Sequence, residues 1–459
     1  MADAEPLPPL RDSVRYIRAL GRPTVAQVLD EAQALGRTAI QPRCGVGGHP
    51  EMTALLRALE AGAAPDILSV TIDSHTRLKR FAQARQALAA NPRELNGYPL
   101  VAHGWRRGRQ LTEAVAAPLE VRHGSPEAEL LFETAVASGI TSFEGGGISY
   151  NLPYSKSVPL ADSLRSWAVV DRRCGELADL GVVVDRELFG TLTAVLVPPS
   201  VSLAVSVLEA VLASRAGVRC LSIAYPQGGN LVQDVAALRA VPVLAERYLD
   251  PQVRVHAVLH EFMGVFPRRR SNAEDLILYG ALTARLGGAS KVVVKTYREA
   301  YGVPDAQANV AGLRLADRAN SPLLGFLAVE ENLVRQELDW ILAETAELVD
   351  PVLAAPDTEA AIIDAFARGT LDIPFSASRQ ARSEVIPKRG PDVAIRYLSV
   401  GGLPLSRRSV RRNLDLLGGA AAAEPDETVF EELARDVNYF PDLFGEDGAS
   451  AREGDRSAH

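Results

Sequence analysis

Cysteine is scarce in this sequence, with three residues (Cys44, Cys174, Cys220) in a chain of 459. Their wide spacing excludes a disulfide framework and a CxxC metal site, and it suits a reducing, cytoplasmic compartment. Lysine is scarcer relative to its partner: Lys79, Lys156, Lys291, Lys295 and Lys388 stand against 44 arginines, a compositional bias with little functional content. Net positive charge is missing altogether. At −8 the chain is a poor candidate for non-specific binding to nucleic acid or an anionic membrane. Long apolar runs are also missing. The most apolar stretch, Val197 to Ser214, holds Pro198, Pro199 and Glu209, which excludes a membrane span of ~20 residues. Met1 to Leu10 is acidic and proline-rich, without the apolar centre of a secretory signal. No internal repeat is visible.

What is present is an alternation. Short β-branched runs end in a polar residue and are followed by helical patterns. The runs are Thr38–Arg43, Ile67–Asp73, Leu100–Gly104, Leu119–His123, Thr141–Glu144, Arg219–Ala224, Val253–His260 and Lys291–Lys295. Between them lie amphipathic segments such as Pro126–Ser138 and Leu231–Tyr248. Strand–helix alternation of this kind predicts a parallel α/β sheet, and eight units over this length predict a (β/α)8 barrel. An open doubly wound sheet is the rival, but no GxGxxG follows the first strand; Gly45-Val46-Gly47-Gly48 lacks the third glycine. The barrel is expected over residues 1–325. A smaller α+β region is expected over 326–445, with a helix at Phe326–Val349, another at Asp357–Arg368 and a strand near Val393–Val400. Residues 446–459 are expected to form a disordered tail.

Chemistry in such a barrel sits at the C-terminal strand ends. Those ends carry Arg43, Asp73 with Arg77, His103, Arg122-His123, Glu144, Tyr225, Glu261 and Lys295. Three arginines at one mouth suit an anion with two carboxylates, because each guanidinium can grip a carboxylate bidentately. Glu144 among them is a candidate base, or the partner of an ammonium group. The run from Glu144 to Lys156 holds three consecutive glycines, which let backbone approach a ligand, and two tyrosines, Tyr150 and Tyr154, flanking Pro153. A phosphate cradle there lacks the Walker pattern. His256 and His260 share a strand face but show no third ligand for zinc. Asp73-Ser74-His75 opens like a cobalamin-ligating Asp-x-His-x-x-Gly motif, but Leu78 stands where its glycine belongs. No metal ligand is assigned in this chain. Lys295, closing the eighth strand, admits a different reading as the Schiff-base lysine of a barrel aldolase.

The same residues resemble the large (epsilon) subunit of glutamate mutase, or methylaspartate mutase, from about Thr38 to Leu405. The anchors are Gln41-Pro42-Arg43, Thr71-Ile72-Asp73-Ser74 with Thr76-Arg77, Arg122-His123-Gly124, the Glu-Gly-Gly-Gly-Ile-Ser-Tyr-Asn-x-Pro-Tyr-x-Lys run from Glu144 to Lys156, Val294-Lys295-Thr296 and Asp372-Ile373-Pro374-Phe375. The resemblance implies a (β/α)8 barrel that isomerises L-glutamate to threo-3-methyl-L-aspartate through adenosylcobalamin radicals, a mutase reaction. It implies a small cobalamin-binding (sigma) subunit as the partner that ligates the cobalt, and a large-subunit homodimer within a heterotetramer. By motif it implies an arginine claw of Arg43, Arg77 and Arg122, with His123, Tyr150 and Tyr154 as further substrate contacts. Glu144 would meet the substrate amine. The cofactor contacts would fall on Gly45, Asn96, Pro153, Phe266, Lys295, Glu299 and Val303. The chain departs from the family pattern at His75, at Ala224-Tyr225-Pro226-Gln227 and at His260-Glu261-Phe262-Met263. Glu261 adds a negative charge where a dianion is expected, which leaves room for another small dicarboxylic amino acid.

Overall fold

A computed structural model describes residues 6–191, 195–418 and 429–445. Eight parallel strands form one sheet: β1 (Ala39–Pro42), β2 (Leu68–Thr71), β3 (Leu119–Arg122), β4 (Ser142–Glu144), β5 (Asp185–Leu188), β6 (Cys220–Pro226), β7 (Arg254–His260) and β8 (Lys291–Val294). The order β1-β8-β7-β6-β5-β4-β3-β2 carries the sheet round on itself. The seam between β1 and β2 is closed by single hydrogen bonds, Asp66 N–H to the Ile40 carbonyl (3.2 Å) and Thr71 N–H to the Cys44 carbonyl (2.8 Å). With helices packed outside, this is a (β/α)8 barrel.

One expected strand is absent and one unexpected strand takes its place in the barrel. Leu100–Gly104 is not a strand. Leu100–His103 is a short helix, and Gly104, at a φ of 80° that favours glycine, turns the chain into a second helix, Trp105–Glu113. The fifth strand is instead Asp185-Arg186-Glu187-Leu188, every residue of it buried. Its three charged residues hide it from any search for β-branched runs. Asp185 and Glu187 point into the barrel. Arg186 points out, donating to Asp171 (2.9 Å) and to the carbonyls of Phe143 (2.6 Å) and Gly145 (2.9 Å).

The apolar run before β6 forms the buried helix Pro199–Arg215, with Pro199 in the first turn, where its missing N–H costs nothing. No described helix is long and apolar enough to cross a membrane. Beyond β8 the long helix runs over Glu331–Leu353, a few residues later than expected, followed by Thr358–Arg368. A two-stranded antiparallel ribbon, β9 (Ile386–Arg389) and β10 (Ile395–Ser399), precedes helices at Arg407–Leu416, Val429–Val437 and Tyr439–Leu443. These elements rest on the helices after β5 and β6. Ser200 bonds Tyr397 (2.7 Å) and Glu344 (2.9 Å), and Gln233 bonds Glu337 (3.0 Å) and the Ile395 backbone. The expected tail, 446–459, lies outside the described residues.

Candidate active site

Period-two alternation puts Glu120 and Arg122 of β3, Ser142 and Glu144 of β4, and Asp185 and Glu187 of β5 inside the barrel. His260 of β7 and Lys291 of β8 complete a buried network. Lys291 Nζ binds Glu120 (2.6 Å) and Glu187 (2.5 Å). Arg122 donates to Glu120 (2.5 Å), Glu187 (3.4 Å) and Glu144, and lies 3.1 Å from His260 Nε2. Asp185 accepts from Ser142 (2.9 Å) and Ser222 (2.8 Å). Four carboxyls thus face two cations. Burial pushes Asp185 up to about 6, opposed by Lys291 and reinforced by Glu120 and Glu187, and pushes Glu144 up to about 7. For Glu144 the proximity of Arg122 opposes this, while Glu187 and Glu120 reinforce it. Of the three arginines expected round Glu144, only Arg122 touches it among the described residues. Glu144, Glu187 and His260 are close enough to share a cation, and the Arg122 guanidinium binds all three.

The mouth lies above this network. Arg43 follows β1 and is exposed; Arg77 sits on the short helix Ser74–Arg77, half-buried. Neither has a carboxylate partner among the described residues. Arg77 lies 5.8 Å over the Tyr154 ring, and Gly124 permits this, since a Cβ there would meet Arg77 and Tyr154 at 3.0–3.3 Å. Arg43, Arg77 and Arg122 all act electrostatically on the Tyr154 hydroxyl, which marks where the three charges converge. Tyr150 is fully buried and donates its hydroxyl to Glu144. The helix bearing Arg77 is capped by Asp73, whose carboxylate accepts from His75 N–H (2.8 Å) and Thr76 N–H (3.1 Å), and Asn96 accepts from Ser74 N–H (3.0 Å).

Other expected strand-end groups sit elsewhere. His103, in the helix rather than at a strand end, donates its Nε2–H to the Gly47 carbonyl (2.8 Å), pinning the loop after Arg43, and its Nδ1 accepts from Arg107 (3.1 Å). His123 turns away from Arg122 into a cage of Phe143, Tyr150 and Trp167, its ring stacked on Trp167 at 5.8 Å. Tyr225 points outward to Asp234 (3.0 Å). Glu261 also avoids the mouth. It accepts from the Lys295 backbone N–H (2.6 Å), and burial pushes its carboxyl well above the ordinary range. The three glycines after Glu144 serve packing. A Cβ at Gly145 would strike Tyr150 and Trp167, one at Gly146 the Glu209 carboxyl, and one at Gly147 Leu164. Gly45 likewise lies against the Thr71 backbone, where a Cβ would come within 2.4 Å of the carbonyl.

Around the rim, Lys295 is buried and pairs with Glu299 (3.0 Å); burial lowers its pKa, with Arg43 adding to the effect. Phe266 is buried, Pro153 half-buried, and Val303 exposed. Val265, Tyr301 and Val303 leave an exposed apolar edge on the loops after β7 and β8, which Tyr301 ties together by donating to the Arg268 carbonyl (2.9 Å). Sequence reasoning missed Glu120, Asp185, Glu187 and Lys291, and also Gln41, whose amide is buried with neither polar atom partnered. The charge alternation in Leu119-Glu120-Val121-Arg122 was the signal for the first of them.

Arg43 and Arg77, without carboxylate partners among the described residues and set above a buried carboxylate–cation network, define a (β/α)8 barrel whose mouth presents positive charge. The sequence comparisons are narrower: the pattern of the methylaspartate mutase E chain (MutE) family matches residues 22–442, and this chain belongs to that family. It is 39% identical over 442 residues to the glutamate mutase epsilon subunit of Desulfitobacterium hafniense, covering 93% of this chain and 90% of the relative. To the proteins of the same name in Haloarcula marismortui and Halobacterium salinarum it is 41% and 40% identical, over 92% of this chain and 88% and 90% of theirs. The family is one of mutases.

Proposed function

We propose that this chain is the substrate-holding subunit of an adenosylcobalamin-dependent mutase that converts L-glutamate to threo-3-methyl-L-aspartate. The observation that carries this reading is charge complementarity. Arg43 and Arg77 lack carboxylate partners among the described residues, and burial raises the Glu144 carboxyl to about 7, so that a substrate ammonium would favour its ionised form. Two carboxylates and one ammonium are what an acidic amino acid brings. Arg122, already held by three glutamates, fixes Glu144 and offers its remaining edge to the substrate. Tyr150 orients the Glu144 carboxyl through its hydroxyl, and Tyr154 lies under Arg77. Glu144 then accepts the ammonium by a charge-assisted hydrogen bond and keeps the carbon skeleton in register while it rearranges.

The rim suits a large, apolar-edged cofactor. Val265, Tyr301 and Val303 present exposed apolar surface, while Lys295 and Glu299 present a polar pair beside it. Gly45, Asn96, Pro153, Phe266, Lys295, Glu299 and Val303 would hold the cofactor. When bound, adenosylcobalamin supplies homolytic cleavage of its cobalt–carbon bond and so a hydrogen-abstracting radical. Asp73 caps a helix through the backbone of His75 and Thr76, so this loop serves Arg77; the cobalt ligand would come from a small sigma subunit, completing a heterotetramer of two large and two small chains in the cytoplasm. Burial of Glu144 and the barrel network keeps water from the fragments.

Two outcomes test the reading. Arg77→Lys keeps the charge and loses the planar fork. Loss of a charge-assisted hydrogen bond costs on the order of 1.5–3 kcal/mol, so kcat/KM is expected to fall about tenfold to a hundredfold in the reconstituted complex with the fold intact. An unchanged kcat/KM removes Arg77 from the site. The second is proton linkage. A raised carboxyl favours the folded protein in its protonated form; that stability is present below the ordinary glutamate range and lost as pH rises through about 7. A substrate ammonium needs the opposite form. KM for glutamate is therefore expected to rise about tenfold for each pH unit below 7. Initial rates between pH 5.5 and 8.5 check it, and a flat KM contradicts the ammonium role of Glu144.

A further inference from the structure

The glycine run after Glu144 packs on a carboxyl that plays no part in the chemistry above. Glu209 belongs to the outer helix Pro199–Arg215 and is 4% exposed. Its Oε1 accepts three hydrogen bonds from one stretch of loop: Ile148 N–H (2.7 Å), Ser149 N–H (2.8 Å) and the Ser149 hydroxyl (3.2 Å). The next residue is Tyr150. We propose that Glu209 is a positioning residue for Tyr150, clamping the backbone of Gly146–Ser149 so that the tyrosine hydroxyl stays against Glu144.

Three observations carry the proposal. A Cβ at Gly146 would lie 2.3–2.4 Å from the carboxyl atoms of Glu209, so glycine there is what lets the carboxyl reach the two N–H groups. Among the described residues the carboxyl has no cation within ion-pair distance. Arg186, the nearest positive charge, is taken up by Asp171 and two backbone carbonyls, so the loop's own donors hold Glu209 and the attachment is specific to that loop. Its other oxygen, Oε2, is buried without a partner. The Glu209 residue lines a cavity of about 80 Å³ together with Gly146, Gly147, Trp167 and Arg186 among others, space beside the clamped loop. Burial pushes the carboxyl up to about 7, opposed by those same N–H donors. Tyr150 itself is then held by its N–H to the Gly146 carbonyl (3.1 Å) and by edge contacts to His123 (4.8 Å) and Phe189 (5.0 Å). The clamp sets where the loop starts, and these contacts set how the ring is turned.

The inference rests on the reading that Tyr150 and Glu144 face the substrate, and the test separates the two. Glu209→Ala, Tyr150→Phe and the double variant are assayed with the cobalamin-binding subunit and adenosylcobalamin, alongside amide hydrogen exchange on each isolated chain. Glu209→Ala is expected to speed exchange at Ile148 and Ser149 at least about tenfold, the loss of a net hydrogen bond of about 1.4 kcal/mol. It is expected to lower kcat about tenfold with KM moved by less than about threefold, and to cost almost nothing further in the Tyr150→Phe background, because coupled residues are not additive. Glu209→Gln, which keeps an acceptor oxygen, is expected to restore kcat to within about threefold of wild type. If the alanine variant does not fold, Glu209→Asp, too short to reach both N–H groups, is expected to show the same coupling. Additive losses, or unchanged exchange at Ile148 and Ser149, overturn the proposal. A Tyr150→Phe chain with full activity instead overturns the site reading.

Discussion

Lys291→Met is expected to destabilise the protein by about 3–5 kcal/mol at pH 7.5, more than any surface change. The ammonium is fully buried and sits between Glu120 and Glu187 at 2.6 and 2.5 Å. Removing it leaves those two carboxylates, with Glu144 and Asp185, facing Arg122 alone. Breaking a buried pair costs more than the pair contributed, because the surviving charge keeps its desolvation penalty. The penalty should shrink at pH 5, where the orphaned carboxyls can take up protons. Denaturant unfolding at the two pH values checks both statements. A loss under about 1 kcal/mol at both would mean that the lumen is wetter than its burial indicates.

Glu144→Gln is expected to do the opposite. It removes one of four crowded carboxyls and keeps the shape, so stability at pH 8 should hold or rise. Turnover should fall about tenfold to a thousandfold, because the ammonium loses its charged partner and the skeleton its orientation. KM should rise as well, because the neutral amide mimics the protonated carboxyl whose hold on the ammonium weakens below pH 7. The pH dependence of KM described above should flatten in the same variant. If Glu144 only neutralised the arginines, the glutamine variant would keep turnover within about twofold of wild type, too small a loss for a charge-assisted contact.

Much of the barrel was legible in the sequence because seven of its strands are built from apolar or β-branched runs, such as Ile67–Asp73 and Val253–His260, whose polar ends mark the C-terminal rim. The fifth was not, because a barrel interior that holds charge inverts the rule on which strand recognition depends. In Asp185-Arg186-Glu187 both faces are charged, and each charge is satisfied by a residue distant in sequence: Ser222 and Ser142, Asp171, and Lys291. Leu100–Gly104 failed for the complementary reason. Four residues of Leu-Val-Ala-His satisfy a strand or a helical turn equally, and what decides is Gly104 and the helix that follows it. The mouth arginines and Glu144 could be read from their positions after strands. The raised pKa of Glu144 could not, since it depends on burial and on Glu187 and Glu120, brought alongside only when β3, β4 and β5 pair. Glu209 was visible only as a break in an apolar run, and its role emerges from a contact spanning about sixty residues.

The most direct measurement is product formation by the purified chain with L-glutamate, with and without adenosylcobalamin and a small cobalamin-binding subunit. The account predicts 3-methylaspartate only when both are added, with the chain alone binding the cofactor weakly. Tight stoichiometric binding of adenosylcobalamin by the isolated chain would contradict the division of labour. No product with both components, together with borohydride trapping of a carbonyl substrate on Lys295, would contradict the mutase reading in favour of an aldolase.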